Sequence, residues 1–375
     1  MTTLRLHGLD LSYYTGKTEC YLRVKGLPFD SVEMSTTSFR DCARRTGVAQ
    51  MPQLEFPDGR WLTDSSQIIE YFEAQSTEPP IYPKDPALCF IAHLLEDFGD
   101  EWLWRPAMHY RWSFQPDARL ASDRLARGLL RDVRLPLAVR RWFIDLRQRH
   151  LFVRKDGVTR RTAPLVETLY REVLDAMQAV LKAQPFLMGV RPTQADFGLV
   201  GSMYRHFSSD PTPAGIMRTH APDVLAWVGR MQTLTPQSFA SSPHATAIPD
   251  GLDRLMALVC ERYLPYLACN EGAFEAGAQR VAWSDCGVAI TTPTNPYRVW
   301  CLNQLRRRYA ALSAPGRAQV DNWLATSSAH LGANASKLLA QAAGPAARTQ
   351  VFPAGLQCGE GTPTPHSVNS QWRSS

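Results

Sequence analysis

Gln50-Met51-Pro52-Gln53-Leu54, with Asp64-Ser65 twelve residues past the proline, decides the reading of this 375-residue chain. A proline that opens an apolar strand removes a ladder hydrogen bond, so it belongs at an edge, a strand start or a bulge. A cis Met51-Pro52 bond would leave the N–H and C=O of Met51 facing outward, able to pair with an extended peptide as with another strand. Asp64-Ser65 lies between a short strand, Arg60 to Thr63, and the apolar helical pattern Ile68-Ile69-Tyr71-Phe72. That is a helix N-terminus carrying a carboxylate, a hydroxyl and free N–H groups. Together these two features suit a small peptide with a charged amino-acid end. Each taken alone is also an ordinary proline turn and an ordinary helix cap.

Working outward, the chain reads strand (Leu4 to Leu9), helix (Thr15 to Lys25), a turn at Gly26-Leu27-Pro28, and strand (Phe29 to Met34). A polar helix (Phe39 to Thr46), the proline-led strand Gln53 to Phe56 and a Pro57-Asp58-Gly59 hairpin follow, and the helix from Ser65 closes the unit near Gln75. This β-α-β-α-β-β-α order predicts an α+β thioredoxin-like domain over 1–78. A Pro-rich linker then leads into helical patterns over 84–235, which predict an all-α bundle domain. The helix beginning near Asp85 carries Pro106, which kinks or splits it. Long helical segments are expected over 116–149 and 164–182, with shorter ones near 193–207 and 222–231. Three further helical patterns, near 250–268, 296–313 and 315–341, form an extension over 249–343. Residues 344–375, rich in Gly, Pro, Ser and Thr, read as a disordered tail.

Composition bounds the classes. With 45% apolar residues the chain can fill two or three ordinary cores, and no apolar run approaches the length of a membrane span. The first residues enter a strand without a charged-then-apolar leader, and none of the eight cysteines forms a Cys-x-x-Cys pair, so free thiols in a reducing cytoplasm are expected. Between Asp117 and Arg161, thirteen Arg or Lys face five Asp, an excess larger than the +6 of the whole chain. An anion-binding face and a solvated helix face both fit that count. No nucleic-acid motif accompanies it, so neither nucleic acid nor membrane is an expected partner.

Lys25-Gly26-Leu27-Pro28-Phe29, Gln50-Met51-Pro52 and Leu62-Thr63-Asp64-Ser65-Ser66-Gln67-Ile68-Ile69 resemble the N-terminal domain of cytosolic glutathione S-transferases. Phe186-Leu187-Met188-Gly189 and Arg191-Pro192-Thr193-Gln194-Ala195-Asp196-Phe197-Gly198-Leu199 resemble the family's helical C-terminal domain. In the second motif, Thr193 and Asp196 form a capping-box variant, which speaks for folding and not for chemistry.

The resemblance implies a cytoplasmic, homodimeric detoxification enzyme that activates glutathione, as co-substrate, for attack on an electrophilic and largely apolar small molecule. It implies that Met51 pairs main chain to main chain with the cysteinyl unit, that Pro52 fixes the turn, and that Asp64 and Ser65 hold the γ-glutamyl end, with Gln50 adding a contact. Counting back from Lys25-Gly26-Leu27-Pro28 places Ser12 where serine- or cysteine-type members carry the catalytic residue. Tyr13, Tyr14 and Thr15 are alternative hydroxyls, and the absence of cysteine at Ser12 and Thr15 disfavours mixed-disulfide chemistry. Lys17 reads either as a contact to the peptide carboxylate or as solvated, the second being the plainer reading. Trp102, Trp104, Tyr110 and Trp112 are candidate apolar walls of the substrate pocket and His109 a candidate acid or base there, or all five are plain core. His93, Glu96 and Asp100 share a helix face, but no partner cluster is evident and no metal is expected. Two alternatives stay open: a non-catalytic binding or assembly module on the same fold, and a glutathione-dependent dehalogenase or ether-cleaving enzyme.

Overall fold

The computed structural model describes residues 3–75, 78–328 and 331–344. The first unit follows the expected order: β1 (Leu4–Gly8), α1 (Tyr13–Val24), β2 (Phe29–Glu33), α2 (Thr36–Thr46), β3 (Gln53–Glu55), β4 (Trp61–Thr63) and α3 (Ser65–Ala74). Its sheet runs β2-β1-β3-β4, with β1 parallel to β2 and antiparallel to β3, and β3 antiparallel to β4. Leu6 and Leu54 pair across β1 and β3 and are buried, as period-two alternation on a half-covered sheet requires. Gly59 takes φ 85° in the turn after Pro57-Asp58, a backbone conformation that L side chains rarely adopt.

The helical domain contains α4 (Pro86–Glu101), α5 (Trp104–Ser113), α6 (Gln115–Arg127), α7 (Leu137–Gln148), α8 (Ala163–Leu181), α9 (Gln194–Ser202), α10 (Pro211–His220) and α11 (Pro222–Thr233). The anticipated break near Pro106 falls between α4 and α5, where Pro106 sits in the first turn of α5 and costs no interior bond. The expected long segment over 116–149 is two helices, parted at Gly128 to Pro136. The capping box is formed: Asp196 Oδ2 accepts from the Thr193 N–H at 2.9 Å. Asp196 Oδ1 also accepts from Leu187 N–H and from the Trp227 indole, both at 3.0 Å, so this carboxylate ties three segments together.

Helix α4 is the spine. Phe90, Ile91, Leu94, Leu95 and Phe98 are buried, each such side chain contributing about 1.5–3 kcal/mol by leaving water. It meets α9 through glycine. A Cβ on Gly99 would lie 2.7 Å from the Gly198 carbonyl oxygen, and one on Gly198 would overlap the Glu96 main chain.

Beyond residue 249 come α12 (Asp253–Leu258), α13 (Leu264–Glu275), a hairpin of β5 (Arg280–Asp285) and β6 (Val288–Pro293), α14 (Pro296–Ala310), α15 (Ala314–Ser327) and α16 (Gly332–Leu339). The hairpin corrects the all-helical expectation for this tract. Alternating burial along β5 and positive φ at both Cys286 (46°) and Gly287 (76°) mark a tight two-residue turn that matches strand twist. The extension is no appendage. Trp102, at the end of α4, packs against Tyr263 and Tyr266, with ring centroids 5.8 and 5.3 Å away. Among the described residues, no helix is long and apolar enough to cross a membrane. The tail expected over 344–375 lies, apart from Gly344, outside the described residues.

Candidate active site

Strand register brings the candidate residues to one end of the sheet. His7 pairs with Gln53, and Gln53 with Thr63, so the loop after β1, the proline before β3 and the start of α3 lie side by side. The Met51-Pro52 bond is cis. Gln53, fully buried, braces the loop by donating to Val48 O (2.9 Å) and Gln50 O (3.1 Å) while accepting from Thr46 Oγ1 (3.1 Å). The Gln50 amide donates to Thr63 Oγ1 at 3.1 Å, so its side chain is spent inside the fold. Among the described residues, the Met51 main chain has no hydrogen-bond partner.

Asp64 caps α3, accepting from Ser66 N–H (2.9 Å) and Gln67 N–H (3.3 Å), at φ 75°. A non-glycine residue at positive φ stores strain where the surrounding contacts over-determine it. One such contact comes from far along the chain: the Tyr297 hydroxyl of α14 donates to Asp64 Oδ2 at 2.9 Å. Burial pushes the Asp64 carboxyl up to about 6, against the Tyr297 hydrogen bond, the Lys17 charge and the two cap N–H groups. Ser65 is buried as well. The extension therefore sits on the pair expected to hold a peptide's charged end.

The structure separates the four candidate hydroxyls. Tyr13 donates to the Gly99 carbonyl and Tyr14 to the Asp100 carbonyl (3.0 Å for the latter), so both phenols dock α1 onto α4. Burial first, then nearby acids, raises both phenols well above their ordinary value. Thr15 is buried with its hydroxyl against Gly8. Ser12 remains: it is half-buried, caps α1 by accepting from Thr15 N–H at 3.3 Å, and among the described residues donates to nothing. It sits at the positive end of α1. Arg111 fixes that loop from α5, donating to Leu11 O at 2.8 Å while paired with Asp210 at 2.8 Å.

Lys17 is not solvated. Its side chain is fully buried and pairs with Glu96 and Asp100 of α4, and it donates to Ser66 Oγ at 2.9 Å. Burial pulls the ammonium down, but the two carboxylates override it and hold the proton firmly. Glu96, despite burial, is held well below the ordinary carboxylate range by Lys17 and His93, while burial keeps Asp100 well above it. One cation thus serves two acids. Beside this cluster a cavity of about 40 Å³, room for a water or two, lies between α3, α4 and α14. Asp97 on its wall accepts from the Tyr263 hydroxyl at 2.6 Å, and burial pushes its carboxyl up to about 7. Among the described residues, no group of three or more His, Cys, Asp or Glu is arranged to hold a metal ion.

Trp102, His109 and Tyr110 do not come together near Ser12. Trp102 faces the extension, and Tyr110 stacks among Phe114, Tyr170 and Phe207. His109 lies between Ser113 (2.9 Å) and Glu167 (3.1 Å), its imidazole lowered by burial against the pull of Glu167. Leu9 and Leu11, in the loop that carries Ser12, belong to a second apolar cluster that also holds Met51, Trp104, Met108, Trp112 and Phe152. Trp104 stacks on Tyr14 at 6.1 Å and meets Phe152 edge-on at 5.4 Å. Of the aromatic residues expected to wall the pocket, Trp104 and Trp112 join this cluster, whereas Trp102 and Tyr110 pack elsewhere in the core.

Comparison with known proteins agrees with this architecture. Residues 6–80 match the model of the glutathione S-transferase N-terminal domain, and residues 150–234 that of the C-terminal domain. No curated protein matches the sequence significantly. Among solved structures, the chain is similar to a glutathione S-transferase from Methylobacterium radiotolerans in complex with glutathione sulfonate: 24% identity, 66% of this chain, 99% of that one, TM-score 0.40. It is similar to a glutathione S-transferase from Xanthobacter autotrophicus Py2, at 24% identity over 68% of this chain and 100% of that one, TM-score 0.39. It is also similar to the beta-etherase LigF of Sphingobium sp. strain SYK-6, at 20% identity over 64% and 100%, TM-score 0.44. With a thioredoxin-like sheet first and a helical bundle second, residues 6–80 and 150–234 carry the N-terminal and C-terminal domains of the glutathione S-transferase family, in that order.

Proposed function

We propose that the chain is a glutathione transferase in which Ser12 activates the thiol for attack on an apolar electrophile. One observation supports the reading: the sheet register brings the loop that carries Ser12, the unpaired main chain of Met51 and the Asp64-Ser65 helix start to the same end of the sheet. A free thiol with a pKa of ~8.5 is about 3% ionised at pH 7, and lowering it to ~6.5 makes about three quarters reactive. The Ser12 O–H donating to the sulfur and the positive end of α1 supply that shift. Met51 then holds the cysteinyl unit as a strand would, and Asp64 and Ser65 the γ-glutamyl end. Trp104, Met108, Phe152 and Leu11 form the apolar wall beside the sulfur. The same thiolate serves conjugation as well as cleavage of a carbon–halogen or ether bond.

A second reading, a non-catalytic module, is favoured by one specific observation, the Tyr297 hydroxyl already bonded to Asp64. Calorimetric titration with glutathione and with S-hexylglutathione separates the two. Micromolar-to-millimolar binding, tighter for the S-alkyl form, supports the transferase and its apolar wall. Binding of neither ligand refutes it. A homodimer in sedimentation velocity is the expected assembly.

A further inference from the structure

Helix α7 shows solvent an apolar stripe. Leu135, Val139, Trp142, Phe143 and Leu146 are exposed, Trp142 at 64% and Leu146 at 55%. At 100° per residue the four on the helix, Val139, Trp142, Phe143 and Leu146, fall within an arc of about 100°, and Leu135 lies just before its first turn. Ile144 and Gln148, on the opposite side, are buried against the bundle. Arg140, on one flank, donates to Ala126 O (3.0 Å) and Leu130 O (2.7 Å) and so pins the helix in this rotation. The stripe has no route into the protein's own core.

Along the other flank runs an open groove of about 460 Å³ between α6 and α7, lined by Gln115, Arg119, Ser122, Arg141, Asp145 and Arg149, with Trp142 at its rim. Asp145 pairs with Arg149 (2.8 Å), and Asp123 with Arg127 (2.8 Å) and Arg141 (3.6 Å). These acids leave the segment with its large excess of cations, thirteen to five between Asp117 and Arg161.

We propose that α7 docks the protein onto an anionic phospholipid surface, with the apolar stripe entering the acyl boundary and the α6–α7 arginines meeting headgroup phosphates. An amphipathic helix with Trp, Phe and Leu on one arc and arginines on its flanks has the form of an interfacial helix. Charge decides between occupants. A two-fold dimer through this face would bring the arginine-lined surface of one copy against that of the other, since such an interface uses the same patch twice. A nucleic acid would answer the arginines but leave Leu135, Val139 and Leu146 with nothing apolar to meet. An anionic bilayer satisfies both sets at once.

Co-sedimentation of the full chain with vesicles of phosphatidylcholine, alone or mixed with phosphatidylglycerol, tests this. Binding is expected to be at least about tenfold tighter to the anionic vesicles and to weaken with added salt. Trp142→Ser combined with Leu146→Ser should reduce it at least about tenfold while leaving the melting temperature unchanged, because both side chains are exposed. Arg119→Gln combined with Arg141→Gln should weaken it and flatten its salt dependence. Absence of binding to anionic vesicles overturns the proposal, as does binding that the Trp142–Leu146 pair leaves unchanged. A self-associated species dissolved by that pair, with no vesicle binding, also overturns it and makes this face an interface between copies of the chain.

Discussion

Replacing Tyr297 with Phe removes one oxygen and tests how the extension acts on the site. The hydroxyl donates to Asp64 Oδ2 at 2.9 Å, where the carboxylate is only 8% exposed. A hydrogen bond to a charged group contributes about 1.5–3 kcal/mol net, and a neutral one about 0.5–1.5. Which value applies depends on pH. Burial raises Asp64 in the folded chain to about 6, above its unfolded value, so folding binds the proton more tightly. Stability is therefore lost as pH rises from the unfolded value through about 6, and the Tyr297 bond limits that loss. Tyr297→Phe should thus cost about 1.5–3 kcal/mol at pH 8 and about 0.5–1.5 at pH 5, read from urea unfolding at both. Equal losses at the two pH values, or a loss below about 0.5 kcal/mol at pH 8, would refute an ionised, latched Asp64. Glutathione supplies a second readout. If the γ-glutamyl ammonium takes the same oxygen, deleting its competitor should tighten binding by about 10- to 150-fold, the same energy expressed as affinity. Unchanged or weaker binding would show that Tyr297 orients Asp64 for the ligand instead of blocking it.

Lys17→Met strands Glu96 and Asp100 in the interior, at a cost of about 3–5 kcal/mol. The loss should be largest above the carboxylate range and shrink toward pH 5, where protonation relieves both acids; a loss under about 1 kcal/mol throughout would contradict the buried triad. Ser12→Ala should lower turnover about tenfold to a thousandfold with glutathione affinity nearly unchanged, whereas wild-type rates would reassign the hydroxyl. Asp64→Asn keeps a cap acceptor at a positive-φ position that Asn tolerates, so the fold should survive while glutathione binds more weakly. The stability of that variant should also lose the fall that the wild type shows between pH 4 and about 6, and unchanged affinity would sink the γ-glutamyl assignment.

Features set by neighbours in sequence were legible. The β-α-β-α-β-β-α order, the cis proline, the Asp64 cap and the Thr193–Asp196 box all depend on patterns a few residues long, and all are present. Lys17 was misread because nothing local announces that two carboxylates, 79 and 83 residues away, will close over it. Tyr297 acts on Asp64 across 233 residues, and Arg111 reaches the Leu11 carbonyl across 100, distances at which periodicity carries no information. The hairpin β5–β6 is a different kind of miss. Its alternation and Cys286-Gly287 turn are written locally, but a run of helical segments on either side hides six-residue strands.

The two glycines at the α4–α9 crossing reach further than packing. Gly99 offers its carbonyl to Tyr13, the next residue offers its carbonyl to Tyr14, and these tyrosines follow Ser12 directly. Gly201, one turn along α9 from Gly198, leaves room for the Tyr13 ring, where an added Cβ would come within 2.8 Å. The reactive loop is thus hung from a joint built of backbone alone. A methyl group at Gly99 or Gly198 would press the helices apart and carry both anchoring carbonyls with them. Chemistry at the loop could then be lost through a substitution that touches no polar atom, and variation at this joint is closed to the chain for a reason of clearance.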